Sequence, residues 1–209
     1  MQQPQPKGSH VMPHERTEQV AYRIPPNTPV AITLPPVEAR PDHPLPDAGP
    51  FLRVFAGTDE PGTVLLRCAR EYLGNWRHVY EHGRNREAAV DEHVSLLTFL
   101  IDREANGHTR AISFEPGAPT NPSSYGEMVA WLAWKYLLVS LRHNQSAHAE
   151  YDAAQLVSHI EAFDQLVVDV QAGRVRLPEK ATGVFPPKTI RPSSAQTDTP
   201  DPGSDQAAQ

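Results

Sequence analysis

The chain has almost no cysteine. Cys68 stands alone among 209 residues, so no internal disulfide forms and an oxidised scaffold is excluded. Long apolar runs are missing as well. The longest, 128–141, spans 14 residues and is interrupted by Lys135 and Ser140, short of the ~20 that a membrane-spanning helix needs. It reads as a buried helix. The opening residues, MQQPQPKGSH, hold no apolar stretch of the kind a secretory signal carries, so the expected location is cytoplasmic. Lysine is scarce, 4 against 15 arginines, and the net charge is −6. Phosphate neutralisation by a basic surface supplies most nucleic-acid affinity, so neither nucleic acid nor membrane is the expected partner.

Proline is abundant instead. Of 22 prolines, 12 lie in residues 1–50 and 6 in 178–202. Residues 1–19 and 176–209 are polar without periodicity and are expected to be disordered. Val20, Tyr22 and Ile24 alternate with polar or small residues, as do Val30, Ile32 and Leu34 beyond a Pro25-Pro26-Asn27-Thr28-Pro29 break. That is the pattern of a short hairpin, confined by prolines to edge-like pairing. Residues 35–50 read as an extended linker, and Phe51-Leu52-Arg53-Val54-Phe55 as a third strand. Residues 20–60 thus form a strand-containing, proline-rich arm with too little apolar side chain for a core of its own.

The period turns helical near Gly62. Leu65, Ala69, Tyr72, Trp76, Val79 and Gly83 recur at alternating steps of four and three, an apolar seam. A second helix over about 87–105 aligns Val90, Val94, Leu97 and Ile101, and Asn106-Gly107 is its expected stop. Within the long connection 106–123, Ala111-Ile112-Ser113-Phe114 reads as a further short strand. Ser124 and Glu127 match a capping box and open a third helix, apolar nearly all round and therefore central. A fourth, over about 147–172, aligns Ala149, Ala153, Leu156, Ile160, Phe163, Val167 and Val170, with Gly173 as its stop. The expected fold class is mainly α: a four-helix bundle over 61–175, with Trp76, Trp131 and Trp134 in its core, a short N-terminal strand arm and disordered termini.

Three constellations carry possible chemistry. His78-Val79-Tyr80-Glu81-His82 fits the H-x-x-E-H pattern of inverzincin metallopeptidases, in which two imidazoles hold zinc and the glutamate activates a bound water. Three fixed positions arise easily by chance among ten histidines. At 100° per residue both imidazoles also point well away from the apolar seam, toward solvent. His148, Asp152, Gln155 and His159 form a polar stripe on the fourth helix. Its histidines lie about 16 Å apart along the axis, too far to share one ion, so an exposed flank is the simpler reading. Arg67, Arg70, Arg77 and Arg84 share a face of the first helix and are candidate anion contacts, although Arg67–Glu71 and Arg77–Glu81 are spaced to pair with each other. His93 reads as a core histidine, Cys68 as a small core residue, and Lys135 either snorkels or meets a carboxylate.

No Glu-x-x-His pair, phosphate loop, nucleophile elbow or cysteine pair occurs, which removes di-iron bundles, nucleotide-loop enzymes and α/β-hydrolases. The leading expectation is a non-enzymatic protein-interaction or assembly module without a cofactor, its partner a second copy or another protein. The alternatives are a metal-dependent hydrolase using His78, Glu81 and His82, and an anion-binding regulator using the arginine stripe.

Overall fold

The computed structural model describes residues 19–24, 28–82, 88–183 and 186. This described chain is mainly helical: α1 (Ala48–Ala56), α2 (Val64–His82), α3 (Ala88–Thr109), α4 (Tyr125–Arg142) and α5 (Ser146–Gln171). Ahead of them β1 (Gln19–Ile24) and β2 (Thr28–Thr33) pair antiparallel, from Gln19↔Thr33 to Ile24↔Thr28. The disorder expected of 1–18 and 187–209 lies outside the described residues.

α4 determines the arrangement. Its residues are apolar nearly all round, so it needs cover on every side, and it packs against all four other helices. α2 and α3 pack on it and against each other, α5 lies along it, and α1 touches both α2 and α5. This is four helices around a central fifth rather than four around a shared axis. Two aromatic groups join these helices to α4. Trp76 of α2 meets Trp134 edge-on at 5.6 Å, and Phe51 of α1, Tyr125 of α4 and Phe163 of α5 lie 5.2–6.3 Å apart. Trp131, expected in the core, is only half-buried.

α1 corrects the strand expected at 51–55. Asp47 caps it, its side chain accepting the Gly49 N–H at 3.0 Å, and Gly57 ends it in the left-handed region at φ 72°. A five-residue apolar run does not distinguish strand from helix, but the Asp–Gly bracket does. The linker before it is irregular and mostly exposed over 35–44, but it is pinned to the helices where Leu45 is buried and Glu104 accepts the Glu38 and Ala39 N–H groups. α3 runs through Asn106-Gly107 to Thr109 instead of stopping there. A Cβ at Gly107 would lie 2.8 Å from Ala39 Cβ, so this glycine makes room for the passing 37–39 segment. The strand expected at 111–114 is irregular chain; Glu115 N–H donates to Gly173 O instead, and Thr120 bridges Arg176. The tail expected to be disordered from 176 is docked through Gly183, with Val175 and Leu177 against the core.

Carboxylates from elsewhere in the chain hold the helix starts. A helix begins with four amides that have no partner within it, and these carry its positive end. At α1, Ala48 N–H donates to Asp164 Oδ1 of α5 at 2.8 Å. At α2, Val64 N–H donates to Glu38 Oε2 at 2.7 Å. At α4, Gly126 N–H donates to Asp102 Oδ1 at 2.6 Å and Ser124 N–H to Glu127 Oε2 at 2.7 Å. Glu104, itself buried, accepts the N–H groups of Glu38 and Ala39. Glu127 also accepts Thr182 Oγ1 and Gly183 N–H. Four acids of the helical region, Asp102, Glu104, Glu127 and Asp164, thus serve its own backbone.

Gly126 is where α4 comes closest to α3: a Cβ there would lie 2.7 Å from Thr98 O, a backbone atom. Gly74, on α2, has nothing within 4 Å of the same point. Gly74→Ala should therefore stabilise the fold by about 0.5–1 kcal/mol through helix propensity alone. Gly126→Ala should destabilise it by about 1–3 kcal/mol despite the same propensity gain. Urea midpoints of the two variants decide it, and equal shifts would contradict the close approach.

Candidate functional site

The H-x-x-E-H residues end α2. His78 and Glu81 are exposed, and the side chain of His82 lies outside the described residues. Among the described residues no group of three His, Cys, Asp or Glu side chains is placed to hold a metal ion. The arginine stripe finds partners other than those its spacing suggests. Arg67 Nη2 donates to Glu38 Oε1 at 2.8 Å and Nη1 to Gly62 O at 3.2 Å, while Arg70 Nη1 lies 3.3 Å from Glu60 Oε2. Glu71, the expected partner of Arg67, faces His93 Nε2 at 3.4 Å instead. With Pro61, Gly74 and Asn75 these side chains border a hollow of about 490 Å³. Arg77 is exposed, and Arg84 lies outside the described residues. His93 is not a core histidine; it sits half-exposed on the α2–α3 seam. Cys68 is buried, and burial pushes its thiol up to about 11, so it stays protonated and unreactive at neutral pH.

The polar stripe of α5 does not face water. Three of its four side chains, Asp152, Gln155 and His159, face α4 and pair with it, while His148 is half-buried. Asp152, only 3% exposed, receives both Arg142 Nε at 2.8 Å and Nη2 at 2.5 Å. Lys135 Nζ donates to Gln155 Oε1 at 3.0 Å. His159 Nε2 lies 2.9 Å from Met128 O; burial, and secondarily the Lys135 charge, lower its pKa, which favours the neutral ring with that nitrogen as donor. The buried face of α5 is accordingly rotated from the heptad seam toward the stripe. Phe163, Val167 and Val170 are buried, but Ala153 is exposed and Leu156 and Ile160 are half-covered.

Between the two helices runs a groove of about 200 Å³. Trp131, Trp134, Lys135 and Leu138 border it on α4, and Tyr151 and Gln155 on α5, above the Arg142–Asp152 pair. Tyr151 is 65% exposed. Lys135 Nζ lies 5.9 Å from the centroid of the Trp131 ring, within cation–π range. Its pKa is lowered, mainly by burial and against the pull of Asp152. Asp152 already takes two hydrogen bonds from Arg142, so it compensates one cation and the groove retains roughly one positive charge. Aromatic walls, an apolar flank and a net cation in the floor suit a carboxylate attached to an apolar group. Neither Tyr151 nor the role of Arg142 was apparent in the sequence, where they are a lone aromatic and a helix-terminal base.

Two buried acids set testable electrostatics. Burial raises the Asp102 carboxyl to about 6, against hydrogen bonds from Gly126 and Ser124 that lower it. The folded value exceeds the unfolded one, so the folded chain keeps this proton longer. Its contribution to stability falls as pH rises from about 4 through about 6, then levels off. Asp102→Asn keeps an acceptor for Gly126 and should flatten that decline, gaining roughly 1–3 kcal/mol over the parent at pH 7. Parallel pH–stability curves would assign the titration elsewhere. At the groove, Arg142→Met strands Asp152 and should cost about 3–5 kcal/mol, whereas adding Asp152→Leu should restore most of it. Thermal unfolding of the single and double variants separates the two outcomes.

Against known proteins, no family model matches this chain, and neither the curated proteins nor the solved structures yield a significant match.

Proposed function

We propose that the chain is a non-enzymatic protein-interaction module, and that its N-terminal hairpin is one of the surfaces it offers. The observation that carries the reading is the sheet itself. It has two strands and no third among the described residues, so each strand has an outer row of backbone groups without a ladder partner. A two-stranded sheet is marginal by itself, and such edges bind extended segments of other chains by strand addition.

The register says which backbone groups are on offer. Pro29 has no N–H, so its pairing with Arg23 belongs to the non-hydrogen-bonded kind. The pairs on either side, Tyr22↔Val30 and Ile24↔Thr28, then carry the ladder bonds. Ala21 and Ala31, opposite one another, are likewise a non-bonded pair, and their N–H groups point outward from the two edges. Pro29 leaves the outer edge of β2 one donor short, and β1 packs against α3, so each edge is partly restricted, as edges of monomeric proteins commonly are.

Ala21→Pro with Ala31→Pro removes one outward donor from each edge without touching the ladder. The double variant should keep the helical circular dichroism and thermal midpoint of the parent. It should lose the parent's specific association, measured as mass by light scattering and as partners retained on co-purification. Deleting 1–33 should do the same, and is a cleaner cut than one at residue 50, which would remove buried Leu45 and Ala48. Unchanged association in both variants would defeat the hairpin reading.

A further inference from the structure

We propose that the groove between α4 and α5 is a docking site for an acidic segment of a partner protein, one that presents a carboxylate beside an apolar side chain. The charge balance makes the first argument. Arg142 and Asp152 neutralise each other through two hydrogen bonds, whereas the hydrogen-bond partner of Lys135 is the uncharged amide of Gln155. A cation in a partly desolvated floor, without a carboxylate of its own, is completed by one from outside.

The walls supply the second. Trp131 and the outward-standing Tyr151 flank that cation, and Trp, Tyr and Arg are the residue types that carry most of the binding energy at protein interfaces. Size supplies the third. A groove of about 200 Å³ accepts one or two side chains and falls below the roughly 300–1,000 Å³ of small-molecule sites. The occupant is therefore side chains borne on a chain rather than a free metabolite. The site shares with the hairpin reading only the premise that the ligand is protein, and it stands apart from the sheet edges.

The test uses the full chain and two synthetic probes, acetyl-Leu-Glu-Leu-amide and its Gln twin, followed by the indole N–H resonances in NMR titrations. The Glu probe should bind in the millimolar range and shift Trp131 and Trp134, the two indoles that border the groove. The Gln twin, and Lys135→Gln with the Glu probe, should each bind about tenfold more weakly, and about 0.5 M salt should weaken the Glu probe. Should Lys135→Gln fold poorly, Tyr151→Ala at an exposed position should also weaken the Glu probe. Equal binding of the two probes, or no shift of either indole, overturns the proposal. So does a dimer that Tyr151→Ala dissociates, which would give the groove to a second copy. Repeating the titration on Ala21→Pro/Ala31→Pro separates the readings: retained probe binding with lost association leaves the groove standing and confines the hairpin to its own partner, while lost probe binding in a folded variant overturns the groove as an independent site.

Discussion

A helix that is apolar nearly all round has no face to give to water, and α4 imposes that constraint on everything else. Cover must come from several directions, and the four other helices supply it, one more than a four-helix bundle would have offered. α2 and α3 supply Trp76 and Val94 to the core, and α1 and α5 supply Phe51 and Phe163. The connections must then travel around α4 to bring those helices into place. That accounts for the length of 34–47 and 110–124, and for the docking of 173–183 over the α4 start.

Such connections carry many amides outside any helix or sheet, and buried amides need partners. The chain supplies them with carboxylates. Asp102, Glu104, Glu127 and Asp164 each reach from a helix to a backbone N–H of another segment, and Glu38 does so from the irregular chain. Three of the acceptors sit at helix starts, where the dipole favours a negative charge. Burial makes this costly, as the raised Asp102 carboxyl shows, and the multiple hydrogen bonds offset the cost. A part of the negative charge, in Asp102, Glu104 and Glu127, thus faces inward and serves the backbone.

The sequence legibly encodes whatever depends on a helix's own residues. The seam of α2, the Ser124–Glu127 box and the stop at Gly173 are local, and each falls where periodicity and capping chemistry put it. What depends on a second segment is not legible. Asn106-Gly107 reads as a stop until the 37–39 chain is seen to need the space a missing Cβ leaves. His148, Asp152, Gln155 and His159 read as a solvated flank because nothing in the spacing of α5 reveals that Arg142 and Lys135 wait opposite. Arg67 and Glu71 obey the four-residue rule, yet each has a better-placed partner, in Glu38 and His93. The strand misread at 51–55 is the exception, since Asp47 and Gly57 bracket a helix within the local sequence.

Lys135 goes against the way the rest of the molecule uses charge. It is the only lysine between Lys7 and Lys180, and it sits midway along the central helix, α4. A leucine or methionine there would bury without the desolvation that lowers its pKa. The chain has carboxylates enough to fasten three helix starts and to give Arg142 a bidentate partner, yet opposite this ammonium it places an amide. An amide orients the charge without neutralising it. The fold bears the cost of partly desolvating a cation and takes back little of the Coulomb energy that a carboxylate at position 155 would return. For packing alone that is a poor exchange; for a groove whose floor must stay positive until a carboxylate arrives, it is what the physics requires.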